Sequence, residues 1–291
     1  MTWFPLALAC ALSLASADAA TKYFYRNTPA LDLLAVRMVT SAVLLMPIVL
    51  SQPLSPVPPV FWVWLAVLVP MELVAMFLYL LAIRDHPLHL TLPILAFTPV
   101  FNVVTGYVVL RESVSTDGMA GILLVVVGAY LLNLKRLYNW RSWFAPLTAI
   151  IREPGPRLML VVAAIYGVTS VGGKAAMGFT TPQIFGPFYY AIIGSALMLG
   201  LLIYRPSSLA VLYRRPGVSF LVGLLMAVMV VTHFLGIARV EVAYFISVKR
   251  TSLLFGIVYG ALLFGEGNFI RNFLSGTLMV AGVALIVGSG A

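Results

Sequence analysis

Residues 241–264 read EVAYFISVKRTSLLFGIVYGALLF: an apolar run of membrane-spanning length with two adjacent cations, Lys249 and Arg250, near its middle. Ser247, Thr251 and Ser252 flank the doublet. A single charge at the centre of a spanning helix costs roughly 2.5–3.5 kcal/mol on insertion scales. Two in succession are a poor lipid-facing surface. They suit a water-filled cavity in which they meet something negative.

The rest of the chain is built from similar runs. Of 291 residues, 62% are hydrophobic and only 9% charged, whereas a soluble domain carries about 25% charge. Apolar stretches of about 20 residues recur from end to end, so the expected fold class is an all-α polytopic membrane protein. The net charge of +9 does not indicate a nucleic-acid partner, because the basic residues lie in short loops or inside helices and form no solvated patch. One cysteine, Cys10, excludes an intrachain disulfide, and His86, His89 and His233 fit no metal-ligand spacing. No cofactor or metal is expected. Residues 6–19 imitate a signal peptide, but Met1 to Pro5 carry no positive charge, so the segment is read as a helix.

Apolar runs set against breakers predict ten spans: 3–23, 31–50, 60–83, 90–110, 118–134, 158–177, 184–204, 218–238, 242–264 and 269–288. The two sides of the chain correspond. At an offset of 154, Phe101 falls on Phe255, Val104 on Val258, Gly106 on Gly260, Glu112 on Glu266 and Gly128 on Gly282. Lys22 and Lys174 match at an offset of 152, Thr28-Pro29 and Thr181-Pro182 at 153. The expected organisation is a five-helix repeat over 1–137, a connecting loop over 138–157 and a second repeat over 158–291. An odd number of helices per repeat inverts the second in the membrane and sets a site near the midplane between them.

Thr98-Pro99-Val100-Phe101 followed by Gly106, Leu110, Glu112 and the Gly121/Gly128 helix resembles the drug/metabolite transporter superfamily, in its ten-helix EamA branch. Ser252 to Phe255, Gly260, Phe264-Gly265-Glu266 and Gly276/Gly282 form a closer second copy. The resemblance implies a carrier and leaves the substrate open. Val248-Lys249-Arg250 is similar to the Lys-Arg pair with which triose-phosphate/phosphate translocators of this fold clamp a substrate phosphate. That resemblance carries over to Lys249 and Arg250 alone.

The ionisable residues within the spans that bear on a site, histidine apart, are Asp18, Lys22, Arg37, Glu72, Lys174, Lys249 and Arg250. Asp18 and Lys22, four apart, suit an intrahelical pair, and Glu72 suits Arg37. Lys174, Lys249 and Arg250 then remain unmatched, unless Lys249 takes Glu72. Arginine does not release its proton, so the leftover cations favour an anionic small-molecule substrate, with phosphate the best geometric fit. Lys249 and Arg250 are expected to hold the anion and Lys174 to assist. His233 adds a donor or a helix–helix hydrogen bond, Arg37 and Tyr190 border the cavity, and Asp18 or Glu72 couples a proton. Gly256 and Gly260 read as a packing seam, Gly172-Gly173 as packing or a local break.

The function expected is secondary-active, alternating-access transport of a small anionic metabolite such as a phosphate ester. The alternatives are an amino-acid or amine exporter of the same fold, and a flippase for a phosphorylated lipid headgroup. No P-loop supplies ATP-driven pumping, and no nucleophile–base constellation supplies an enzyme. The loops after spans one, three, five, seven and nine hold Arg26, Arg84, Lys135, Arg136, Arg141, Arg152, Arg157, Arg205, Arg214, Arg215 and Arg271. The other side holds only Arg111 and Arg239. In a bacterial-type inner membrane this bias predicts both termini outside, opposite to the resemblance.

Overall fold

The computed structural model describes residues 2–26, 28–52, 56–86, 91, 94–132, 143–264 and 269–290. The helices are α1 (Trp3–Phe24), α2 (Ala30–Ser51), α3 (Pro59–Asp85), α4 (Thr98–Leu110), α5 (Thr116–Leu132), α6 (Ala145–Arg152), α7 (Pro154–Met177) and α8 (Pro182–Tyr204). After a 3-10 turn, Pro206–Ala210, come α9 (Val211–Arg214), α10 (Pro216–Ile237), α11 (Val242–Lys249), α12 (Ser252–Phe264) and α13 (Phe269–Gly288). Proline occupies the first or second position of α3, α4, α7, α8 and α10. There its fixed φ favours the helix and its missing N–H costs nothing.

Among the described residues seven stretches are long and apolar enough to cross a membrane, and three shorter apolar helices accompany them: Thr98–Leu110, Thr116–Leu132 and Phe273–Gly288. Val63, Val108, Ile203, Leu262 and Val280 point outward from different helices. So large a spread of exposed apolar side chains belongs in lipid. The fold is all-α and polytopic.

The packing is pairwise. α5 lies along α13, and α2 along α8; α1 packs on α10 and α12, while α3 and α4 pack on α7. At the α5–α13 crossing the backbones touch. A Cβ on Gly121 would sit 2.7 Å from the Gly282 carbonyl oxygen, and one on Gly282 2.6 Å from that of Gly121. Gly172 is likewise a packing residue, its missing Cβ leaving room for Leu68, and α7 runs unbroken past it. Gly256 is different. A Cβ there meets nothing within 4 Å, so it lies on no packing seam.

The structure corrects two expectations about the chain path. The connection over 138–157 contains α6, and α7 begins at Pro154 rather than 158, because Leu147 and Ile150 supply apolar residues that Pro154 then helps to turn into the next helix. Residues 242–264 do not form one helix. The chain breaks at Arg250–Thr251, where hydrogen bonds tighten to three-residue spacing: Thr251 N–H donates to Val248 O (3.0 Å) and Leu254 N–H to Thr251 O (2.8 Å).

A second break lies at Ala96–Phe97, immediately before α4. Phe97 N–H donates to Ile94 O (3.1 Å) and Val100 N–H to Phe97 O (2.9 Å). Adding 154 to each of these residue numbers yields the donors and acceptors of the second break. Each break also has a hydroxyl that satisfies a freed carbonyl: Thr98 Oγ1 donates to Leu95 O (2.7 Å), Thr251 Oγ1 to Val248 O (2.8 Å). Helix interiors tolerate such interruptions in a membrane where side chains resatisfy the backbone.

Candidate functional site

The break between α11 and α12 presents the doublet to the middle of the molecule. Arg250 stands at the C-terminal cap of α11, and its Nε is buried without a hydrogen-bond partner. Its electrostatic neighbours are the phenols Tyr79 on α3 and Tyr166 on α7. Lys249 Nζ lies 3.3 Å from His233 Nδ1 on α10 and 3.7 Å from Met229 Sδ. An ammonium only donates, so Nδ1 accepts and the imidazole is neutral, with its proton on Nε2. Phe234 and Phe245 hold the imidazole edge-on, at centroid distances of 4.9 and 5.2 Å.

Glu72 on α3 lies beside Thr169 on α7 and within electrostatic reach of Lys249. The two do not form a contact ion pair: among the described residues no carboxylate oxygen lies within 4.0 Å of Lys249 Nζ. Tyr190 on α8 sits among Glu72, Cys10 and Arg37. These groups come from helices far apart in sequence yet interact with one another. Glu72, Tyr79, Tyr166, Tyr190, His233, Lys249 and Arg250 are all partly exposed, although each lies within a membrane-length stretch. They therefore line a hollow between helices.

Arg37 is matched differently from the expectation. Its partner is Asp18 on α1, at 2.7 Å, and its second nitrogen donates to Met226 Sδ at 3.4 Å. Asp18 is thus the acid of a bond between α1 and α2, while Glu72 belongs with Thr169 and Lys249.

Lys174, expected to stand unmatched, is engaged. Its Nζ donates to Glu112 Oε1 (2.6 Å) and to Val240 O (2.7 Å), and Glu112 Oε2 accepts the Val242 N–H (2.8 Å). One carboxylate thereby joins the end of α7 to the first turn of α11, where it also faces the positive end of the helix dipole. Glu112 reaches this place because Arg111 takes a left-handed turn (φ 58) and because Gly106 has no Cβ to obstruct it. Tyr244 on α11 fixes the same connection, accepting the Ser115 N–H at 2.9 Å. These contacts form a lock between the end of α7 and the start of α11. The matching residue Glu266 lies outside the described residues, as does His89.

Tyr79, Tyr166, Thr169 and Met229 were not foreseen as site residues. Their one sequence signal was an apolar-helix position occupied by a hydroxyl or sulfur, which also suits ordinary packing.

An all-helical polytopic membrane fold with polar and charged side chains gathered between its helices is the class these features define. Residues 1–134 match the EamA-like transporter family. No curated protein matches. The chain resembles 26 solved chains. One, described only as "Crystal structure of protein", superposes with a TM-score of 0.70 over 98% of this chain and 94% of that one, at 16% identity. At that identity the likeness is one of fold.

Proposed function

We infer that this protein is a secondary-active carrier of a small anionic metabolite, moved by alternating access. The observation that carries the reading is Arg250: a guanidinium that cannot deprotonate, its Nε buried beside a helix break, with no carboxylate oxygen within 4.0 Å among the described residues. In this reading Arg250 and Lys249 hold the anion, with Tyr190 and His233 beside them. Arg37 is tied to Asp18 and shapes the wall, and Glu72 or Asp18 couples a proton. Lys174 leaves the substrate-binding set for a structural one.

The ten apolar stretches, taken as ten crossings, fall into two five-helix halves, 1–137 and 158–291. Three observations support inversion between them: the sequence offset of 154, the pair of matching helix breaks, and the reciprocal packing of α1 on α10 and of α3 on α7. Discontinuous helices that meet near the midplane are where transporters of inverted-repeat design bind their cargo. The match of residues 1–134 to a transporter family supports the same class. The basic-loop bias supports both termini outside.

Phosphate esters fit the doublet best. The test is uptake of radiolabelled glycerol 3-phosphate into proteoliposomes. Wild type is expected to accumulate label and Arg250→Ala, verified as folded by its thermal transition, to fall to the level of empty liposomes. Equal uptake by both would defeat the reading. An acid near the doublet, Glu72, favours a second reading in which the cargo is a zwitterionic amino acid. Thermal stabilisation by neutral amino acids and not by glycerol 3-phosphate would select it.

A further inference from the structure

We propose that the hollow holds its cargo with one net negative charge, so that a doubly charged cargo enters together with a proton. The inference rests on the anion-carrier reading and adds the valence of the cargo.

The charged groups facing the hollow from the packed elements are few. α1 contributes Asp18, α2 Arg37, α3 Glu72, α10 His233 and α11 Lys249 and Arg250. Cys10, Tyr79, Tyr166, Tyr189 and Tyr190 are neutral in their ordinary state. Asp18 and Arg37 cancel in contact. Lys249 as ammonium and Glu72 as carboxylate cancel too. His233 is neutral because its Nδ1 accepts from Lys249. The Lys174–Glu112 pair at the end of the bundle is self-balanced. Among the described residues Arg250 alone remains, so the empty hollow carries a single positive charge.

A monoanion brings that sum to zero. A dianion would leave an unbalanced negative charge enclosed between membrane-length helices, which is unfavourable. The cheaper course is to bind one proton, on the cargo or on the Lys249–Glu72 unit. A phosphate monoester, with a second pKa of about 6, is therefore bound as a monoanion or with one proton taken up. A phosphodiester, singly charged throughout, binds with none.

Isothermal titration calorimetry of the purified full-length protein at pH 8, in two buffers of different ionisation enthalpy, counts the protons. Glycerol 3-phosphate is expected to take up about one proton per molecule bound, and its affinity to fall about tenfold per pH unit there. A glycerol phosphate methyl diester is expected to take up none, with affinity flat between pH 6 and 8. Glu72→Gln removes one negative charge, so the monoester is then expected to bind as a dianion with proton uptake near zero. Asp18→Asn, on the opposite wall, is expected to do the same. Wild-type binding of the monoester without proton uptake would overturn the valence and leave the anion carrier standing, as would undiminished uptake in both variants. Binding of neither ester would overturn the carrier reading and this inference with it.

Discussion

The two helix breaks use one backbone design and two different sets of side chains. At Ala96–Phe97 and Arg250–Thr251 the same tightened hydrogen bonds recur at an offset of 154. Around the first, Ile94, Ala82, Met159 and Val162 form a fully buried apolar cluster joined by Leu95 and Phe97. At the second, the positions matching Leu95 and Ala96 are Lys249 and Arg250. The backbone repeats while the chemistry does not. Of the two interruptions, one is charged and the other is apolar.

The most severe test of that contrast is to charge the other break. Ala96→Arg sets a guanidinium at a buried position of the main apolar core. The expected loss is several kcal/mol, read as a collapse in folded yield by size-exclusion chromatography. If the variant folds as well as wild type, the two breaks are interchangeable and the asymmetry is not functional.

The lock at the end of α7 has the next largest effect. Glu112→Gln leaves Lys174 without its partner ion and is expected to destabilise by about 3 kcal/mol. Lys174→Met on the Glu112→Gln background should recover part of that, because no unpaired ion remains. Thermal denaturation in detergent measures both. An additive loss would mean the two residues do not act as a pair.

Glycines separate close approach from open space. Gly282→Ala drives a methyl to within 2.6 Å of a backbone oxygen that cannot move aside, for an expected loss of about 2 kcal/mol. Gly256→Ala meets nothing and should be neutral or stabilising by up to about 1 kcal/mol. A shared sign in thermal denaturation would contradict the packing described. The smallest effects fall at the hydroxyls of the breaks: Thr98→Val and Thr251→Val each lose one bond to a freed carbonyl. Equal losses of about 1 kcal/mol would mark the breaks as structurally equivalent.

The apolar runs made the class of fold legible, and the offset between Gly128 and Gly282 pointed to the helix that now crosses α5 at backbone contact. The breaks were hidden, because Ala96, Phe97 and Thr251 are unremarkable in an apolar run. Only their hydrogen bonds distinguish them from a continuous helix. Charge pairing was the least legible part. Asp18 reaches Arg37 on another helix, and Lys174 reaches Glu112 across 62 positions, so spacing along the sequence could not find either partner. The doublet itself stood out because its insertion into lipid is so unfavourable.

The central claim is that Arg250 is the cation a cargo must neutralise. The affinity of purified protein for glycerol 3-phosphate at pH 6, measured by titration calorimetry for wild type and for Arg250→Gln, tests it most directly. The account predicts a loss of at least about thirtyfold, the equivalent of one charged hydrogen bond of about 2 kcal/mol. Equal affinity in two equally folded proteins would contradict it.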